Sequence, residues 1–99
     1  MVTPNPIISI VTPTYNRSDE LDHLIESISN QTLENDYFEM VISDDGSTDD
    51  TEQRIKRWIK RVGFKLKYVC QNNSGPGAAR NNGVKNAKGE LIVFIDSDC

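Results

Sequence analysis

Two groups of aspartates each come directly after an apolar segment of the chain. Asp44-Asp45 follows Met40-Val41-Ile42-Ser43, and Asp96-Ser97-Asp98 follows Leu91-Ile92-Val93-Phe94-Ile95. Two carboxylates one residue apart at the end of a strand can reach toward one point, where they can bind a hard divalent cation and a sugar hydroxyl. Because both segments read as buried strands, the sequence predicts one acidic pocket at the carboxyl edge of a parallel sheet.

The segments that must position these aspartates alternate between strand and helix patterns, which is typical of βαβ units and a parallel sheet. The predicted strands cover residues 7–11, 38–43, 64–69 and 91–95. The first predicted helix has Leu21, Leu24, Ile25 and Ile28 on its apolar face. The second is capped by Ser47 or Thr48 and buries Ile55, Trp58, Ile59 and Val62. The third runs from about Ala78 to Ala87, and its small residues permit close packing on the sheet or on a ligand. The lysines of the third strand predict an edge position or one solvent-exposed face.

Size and composition are those of one small globular domain: 99 residues, 36% hydrophobic and 26% charged. We expect residues 1–6 to be a flexible lead-in and residues 7–99 to fold as one unit. No apolar run approaches the roughly 20 residues that a membrane helix needs, and no signal-peptide pattern opens the chain. The two cysteines favour free thiols in a reducing compartment, and hence a cytoplasmic protein.

The net charge of −4 hides a basic segment. Its members are Arg54, Lys56, Arg57, Lys60, Arg61, Lys65 and Lys67. This distribution argues against a nucleic-acid partner and for a local basic face. Two interpretations stay open: a solvated helix surface, or contact with the anionic inner face of the cell membrane, where a lipid-linked acceptor would lie.

Four segments, in order and at suitable spacing, resemble the N-terminal half of a family 2 glycosyltransferase with the GT-A fold. They are residues 8–17 (ISIVTPTYNR), 41–49 (VISDDGSTD), 75–83 (GPGAARNNG) and 89–98 (GELIVFIDSD). The resemblance covers nearly the whole chain. It implies a Rossmann-like, three-layer α/β/α fold with a parallel four-stranded sheet. It also implies transfer of a sugar, with inversion, from a UDP-type nucleotide-sugar donor to a saccharide or lipid-linked acceptor, as in cell-envelope polysaccharide biosynthesis.

The resemblance further implies roles for the loop residues of the first two segments. Tyr15 would lie against the nucleobase, and Pro13 and Thr14 would shape that wall, largely through their backbone. Asp45 would accept the imide proton of a uracil-type base, and Asp44 would brace the turn. Arg17, which ends the first segment, is also expected to bind the donor.

The later segments are expected to bind the ribose and the diphosphate. Arg80 would offer charge to the diphosphate or hold the acidic loops, and Asp96 would bond the ribose. Asp98 would ligate Mg²⁺ or Mn²⁺, which stabilises the charge that the nucleoside diphosphate gains when the sugar departs. Without a cation, Asp96 and Asp98 would repel the diphosphate and raise each other's proton affinity.

The chain departs from the family's pattern in two respects. Cys99 stands where the family commonly has a further acidic residue, and no residue here matches the family's general base or acceptor surface. We therefore expect the 99 residues to be truncated after the Asp-X-Asp motif, to hold a donor weakly and not to complete transfer. The fourth strand would then have an unpaired apolar edge, which predicts self-association or a disordered C-terminus.

Other functions compete with this interpretation. A non-catalytic nucleotide-sugar binding or assembly module stays open. An Mg²⁺-dependent phosphoryl-transfer domain would want an aspartate directly after the first strand, where this chain has Thr12-Pro13-Thr14. A dinucleotide-binding domain is disfavoured because Gly75-Pro76-Gly77 lacks the third glycine and does not follow the first strand.

Overall fold

The computed structural model describes residues 5–97, so most of the predicted lead-in and the predicted metal ligand Asp98 lie outside the described residues. The elements are β1 (Ile8–Thr14), α1 (Ser18–Ser29), β2 (Phe38–Asp44), α2 (Thr51–Arg61), β3 (Lys65–Cys70), α3 (Pro76–Lys85) and β4 (Leu91–Phe94). The predicted alternation of four strands and three helices is confirmed.

The four strands form one parallel sheet in the order β3-β2-β1-β4. β1 pairs with β2 from Ile8↔Phe38 to Thr14↔Asp44, and on its other side with β4. The chain moves in one direction through β1, β2 and β3 and then crosses back to β4. Right-handed crossovers therefore place α1 and α2 on one face and α3 on the other, which gives the predicted three layers. The reversal leaves a switch point between β1 and β4.

The face under α1 and α2 holds the hydrophobic core. Its fully buried side chains include Leu21, Ile25, Met40, Ile42 and Ile55. They alternate along the strands and recur at helical spacing on α1, which is why one apolar surface forms on each element. Burying each such side chain contributes about 1.5–3 kcal/mol relative to leaving it in water.

The opposite face is small and polar, so α3 packs against it closely. A Cβ atom at Gly83 would collide with the Val11 side chain, so only glycine allows this approach. The Ser43 hydroxyl donates to the carbonyl of Ala79 at 2.6 Å, which ties the helix to β2. This confirms that the small residues of the third helix serve close packing on the sheet.

A buried carboxylate at the amino end of this face fixes the start of β4. Glu39 is fully buried and accepts hydrogen bonds from the Ser9 hydroxyl at 2.6 Å and the Lys88 N–H at 2.5 Å. The Lys67 ammonium lies 2.9 Å from its second oxygen. Burial raises the pKa of Glu39, but these donors outweigh burial and leave the pKa below its ordinary value. Glu39 thereby anchors the turn that sets the register of β4, and with it the position of Asp96.

The start of α2 differs from the prediction. The helix begins at Thr51, and neither Ser47 nor Thr48 caps it. Ser47 is bonded to Asp44, and Thr48 to Asn16 in the preceding loop. Ser47 also accepts from the Asn16 N–H, so both residues are held by a partner distant in sequence, and the helix starts at Thr51.

Other boundaries and one buried position also differ. Ile59 is 41% exposed, so its assignment to the buried stripe was wrong: the contact face of α2 runs through Thr51, Ile55 and Trp58. β1 extends to Thr14 because its pairing with β2 continues to Asp44. α3 begins at Pro76, at the first helical turn, where a missing N–H costs nothing.

Both edges of the described sheet are open. β3 lies at one edge, as its lysines predicted. At the other edge, Leu91, Val93 and Phe94 are 59%, 42% and 47% exposed. The N–H groups of Leu91 and Ile95 donate to β1, so the backbone groups of the alternate residues face the open side. An apolar edge of this kind is a template for pairing with another chain.

We predict that the 99-residue chain self-associates through the open edge of β4. The apparent mass from light scattering should rise with protein concentration. Val93→Lys should keep the chain monomeric, because two lysines brought together at a paired edge repel each other.

The matched control is Val84→Lys, at a valine of similar exposure, 39%, on α3 and away from the edge. It should associate like the unaltered chain. A chain that stays monomeric at every concentration would contradict the prediction.

Candidate functional site at the carboxyl edge of the sheet

Three chain segments meet at the carboxyl edge of the sheet, beside the switch point between β1 and β4. They are the loop after β1, the loop that leads into α3, and the residues after β4, and Asp45, directly after β2, joins them. They enclose a cavity of about 550 Å³. Its lining residues are Pro13, Thr14, Tyr15, Arg17, Asp45, Asn73, Gly75, Pro76, Ala79, Arg80, Asp96 and Ser97. Seven of the eight predicted donor-binding residues are among them, and in open α/β sheets this edge is where ligands bind.

Asp44 is the predicted residue that does not line the cavity. It is 1% exposed and accepts hydrogen bonds from the Ser47 N–H at 2.9 Å, the Ser47 hydroxyl at 2.6 Å and the Tyr68 hydroxyl at 2.5 Å. Burial and the neighbouring carboxylate raise the pKa of Tyr68 far above its ordinary value, so the phenol remains a donor. Asp44 therefore holds the turn after β2 from beneath.

Asp45 faces the loop that leads into α3. One carboxylate oxygen accepts from the Gln71 side chain at 2.9 Å and the Ser74 N–H at 2.7 Å. The other accepts from the Gly75 N–H at 3.0 Å and the Asn73 side chain at 3.2 Å. A carboxylate offers about four lone-pair directions, so all of them are occupied.

These donors favour the ionised carboxylate. The Ser74 N–H lowers the pKa of Asp45 most, burial opposes that shift, and the Gln71 and Gly75 donors lower the pKa further. The turn that directly follows Asp45 lies against this loop and needs a glycine. Gly46 has φ +84°, and a Cβ there would lie 3.1 Å from the Asn73 nitrogen. Asp45 and Gly46 together place the N-terminus of α3 against the cavity.

The two arginines and Tyr15 give the cavity its exposed functional groups. Tyr15 is 45% exposed, so part of its ring is free to contact a planar ligand. Arg17 and Arg80 are both exposed on the cavity wall. The Arg80 guanidinium lies 5.9 Å from the centre of the Phe94 ring, a cation–π contact that holds it beside β4.

The predicted acidic pocket is less acidic than the sequence implied. Asp44 is turned into the core, and four donors within the protein occupy the oxygens of Asp45, although its carboxylate stays ionised. Asp96 is exposed on the cavity wall, and Asp98 lies outside the described residues. Among the described lining residues, Asp96 is thus the one carboxylate that shares the cavity with Arg17 and Arg80 and is not hydrogen-bonded within the loops.

The sequence reasoning assigned no role to five of the lining residues. They are Asn73, Gly75, Pro76, Ala79 and Ser97. Three of them belong to the loop after β3 or to the start of α3. The carboxyl ends of all parallel strands share one edge. The polar segment Gln71-Asn72-Asn73-Ser74 after β3 could therefore have been used to predict that this loop lines the cavity.

A larger concavity, of about 810 Å³, lies between α1 and α2. Some of its charges are paired: Arg54 forms ion pairs with Asp19, Asp22 and Asp50 at 2.6–2.8 Å, and Trp58 donates to Asp22. None of the predicted site residues lies there. The predicted basic face is therefore partly neutralised by the carboxylates beside it.

The sheet order, the layers and the cavity at the switch point define a Rossmann-like domain, and its fold is that of GT-A glycosyltransferases of known structure. Residues 9–99 match the family described as glycosyl transferase family 2. The chain belongs to this family of glycosyltransferases.

Two relatives illustrate the match. Poly(ribitol-phosphate) β-N-acetylglucosaminyltransferase TarS of Staphylococcus aureus is 37% identical over 90 residues, which is 91% of this chain and 16% of TarS. The crystal structure of TarS 1-349 in complex with UDP has a TM-score of 0.80 at 36% identity, covering 93% of this chain and 27% of that one. The mannosyltransferase PcManGT of Pyrobaculum calidifontis, in complex with GDP-Man and Mn²⁺, has a TM-score of 0.88 at 30% identity, covering 97% and 28%.

The chain spans less than a quarter of the length of the curated relatives it matches. Among residues 5–97, no three His, Cys, Asp or Glu side chains lie together as metal ligands. Within the same residues, no helix combines the length and the apolar character that crossing a membrane requires.

Replacing Asp45 tests the network around it. Asp45→Asn should lower the free energy of unfolding by about 1–3 kcal/mol, because an amide cannot accept four hydrogen bonds and leaves partly buried donors unpaired. The pKa of Asp45 lies below its ordinary value of 3.8 in the folded chain. Its contribution is therefore present above pH 3.8 and is lost as the pH falls below that value.

Urea denaturation between pH 2.5 and 7 measures both effects. The variant should lose less stability on acidification than the unaltered chain. Asp36→Asn, at an exposed loop position, is the control and should behave like the unaltered chain. Equal acid dependence in the Asp45 variant and the unaltered chain would show that the network contributes little.

Proposed function

We propose that the cavity binds the nucleotide part of a sugar donor, with UDP as the nucleotide. The complete enzyme would transfer the sugar with inversion to a saccharide or lipid-linked acceptor. The observation that carries the proposal is the convergence of seven donor-binding candidates on one cavity, at the switch point of a family 2 domain. The UDP complex of TarS and the GDP-Man complex of PcManGT support a nucleotide-sugar donor.

The nucleobase would lie against Tyr15. The exposed part of its ring offers a flat, polarizable face, and Pro13 and Thr14 continue that wall. The Thr14 carbonyl already accepts from the Asp45 N–H at 2.9 Å. Thr14 would therefore contact the base by packing rather than accept a hydrogen bond through its carbonyl. This modifies the family resemblance, which implied a role largely through the backbone.

Asp45 would accept the imide proton of the base by exchanging one of its present donors. The two backbone donors, Ser74 and Gly75, are fixed by the loop. The Asn73 amide is a side-chain donor on the cavity wall, and its 3.2 Å bond is the longest of the four. We expect this amide to move aside when a base binds.

The arginines and Asp96 would hold the rest of the donor. Arg17 and Arg80 bring positive charge to the diphosphate, and Asp96 would accept a ribose hydroxyl proton. Asp98 would hold Mg²⁺ or Mn²⁺, since carboxylate oxygens are the ligands these cations prefer. Oxygens of the diphosphate and of water would be among the cation's other ligands. The bound cation supplies Lewis-acid stabilisation of the departing diphosphate.

The acceptor side would lie outside this cavity. The part of the α2 basic face that the ion pairs leave exposed, including Arg57 and Lys60, would support peripheral contact with an anionic membrane on the cytoplasmic side.

Tyr15→Ala tests the nucleobase wall. Calorimetric titration with UDP in the presence of Mn²⁺ should show affinity reduced about 5- to 150-fold, the range for loss of base stacking on one aromatic ring. Tyr15→Phe should retain most of the affinity because the ring face remains.

The matched control is Tyr37→Ala, since Tyr37 has the same exposure, 45%, but precedes β2 at the opposite edge of the sheet. It should bind UDP like the unaltered chain. Absence of UDP binding by the unaltered chain would contradict the proposed function itself.

Removing the cation tests the role proposed for Asp98. UDP affinity should fall when Mn²⁺ is chelated, while affinity for uridine, which has no diphosphate, should not change. Asp98→Ala should lose the response to Mn²⁺, and Asp36→Ala should keep it. Equal UDP affinity with and without Mn²⁺ would argue against a bridging cation.

A further inference from the structure

Asn16 lies between two residues of the cavity wall, Tyr15 and Arg17, without lining the cavity itself. Its φ is +53°, and it is the one non-glycine residue with positive φ among residues 5–97. Asparagine tolerates this conformation better than most residues, but it still costs energy. Such a conformation persists where surrounding contacts hold it in place.

Those contacts come from the loop after β2. The Asn16 N–H donates to the Ser47 hydroxyl at 2.8 Å. The side-chain oxygen accepts from the N–H groups of Thr48 at 2.8 Å and Asp49 at 3.3 Å, and the amide nitrogen approaches the Thr48 hydroxyl at 3.4 Å. Ser47 in turn donates to the buried Asp44. The turn that carries Tyr15 is thereby fastened to the core of the sheet.

These bonds do not serve the adjacent helix. The N-cap of α1 is Arg17, and no side chain caps that helix. The Asn16 side chain instead forms its hydrogen bonds with a loop more than 30 positions away. Helix capping, the ordinary reason for an asparagine at such a position, does not account for it.

We propose that Asn16 is a positioning residue for the nucleotide site: it fixes the turn that presents Tyr15 to the nucleobase. This inference rests on the proposed function. Asn16 acts through Tyr15 and does not touch the nucleotide. Without its side chain, the turn samples other conformations, and the nucleotide binds only the fraction of molecules in which Tyr15 is in place.

Two substitutions separate the side-chain contacts from the backbone conformation. Asn16→Gly adopts positive φ at no steric cost and keeps the N–H bond to Ser47, but it removes the side-chain bonds. Asn16→Asp keeps an oxygen that can accept from Thr48 and Asp49. UDP affinity should fall about 5- to 20-fold in the glycine variant, as expected for the loss of two or three exposed hydrogen bonds, and about twofold or less in the aspartate variant.

A double-mutant cycle with Tyr15→Ala distinguishes positioning from general stabilisation. In the Tyr15→Ala background, Asn16→Gly should have no further effect on UDP affinity, because the residue through which it acts is gone. Asn81→Ala, on the exposed surface of α3, is the control and should leave affinity unchanged. All titrations are made at least 15 °C below the measured unfolding temperature of each variant.

The outcomes separate the two proposals. If the unaltered chain binds UDP and Tyr15→Ala weakens binding, but Asn16→Gly does not, this inference alone is overturned. A full additional loss in the Tyr15→Ala background, or no recovery with Asn16→Asp, would overturn it as well. If the unaltered chain does not bind UDP, both proposals fall.

Discussion

The Asp45 carboxylate is the interaction on which the arrangement of the cavity depends. Four donors from one loop converge on it, two from backbone N–H groups and two from side-chain amides. An irregular segment after β3 is thereby fixed relative to the end of β2. Because α3 begins directly after this segment, the same carboxylate determines where Arg80 lies. A single charged group, almost fully buried, thus sets the position of one wall of the cavity.

Asp44 and Asp45 hold different parts of the protein, because successive side chains in an extended chain point to opposite sides. Asp44 turns toward the layer of α1 and α2, where it binds Ser47 and Tyr68. Asp45 turns toward the loop that leads into α3. Through Ser47 and Asn16, Asp44 also reaches the loop after β1. Three consecutive loops of the edge are therefore joined to each other through one pair of carboxylates.

The fold could be predicted because its signals are local. Alternating strand and helix patterns gave the number, order and type of the elements, and the parallel sheet followed from them. The motifs after β1, β2 and β4 placed six residues on one cavity, since parallel strands end at one edge, and the motif at the third helix added Arg80.

The errors arose where distant partners decide. The side chains of Ser47 and Thr48 satisfy the rule for a helix cap, but both residues are bonded to Asn16, more than 30 positions earlier. Ile59 fits an apolar stripe by spacing, yet α2 turns another side to the sheet. Asn73 was missed because its role depends on Asp45, 28 positions earlier. Spacing along one segment contains none of this information.

The charges of the cavity explain how an acidic chain could hold an anion. The net charge is −4, but two of the carboxylates nearest the cavity are engaged within the protein. Asp44 is buried under its turn, and four uncharged donors occupy the oxygens of Asp45, which stays ionised. Arg17 and Arg80 form no ion pair with another residue among 5–97, and Asp96 is the lining carboxylate whose oxygens accept no hydrogen bond from the described residues. The carboxylate with free oxygens therefore lies at the end of β4, which is where the proposed divalent cation would be needed.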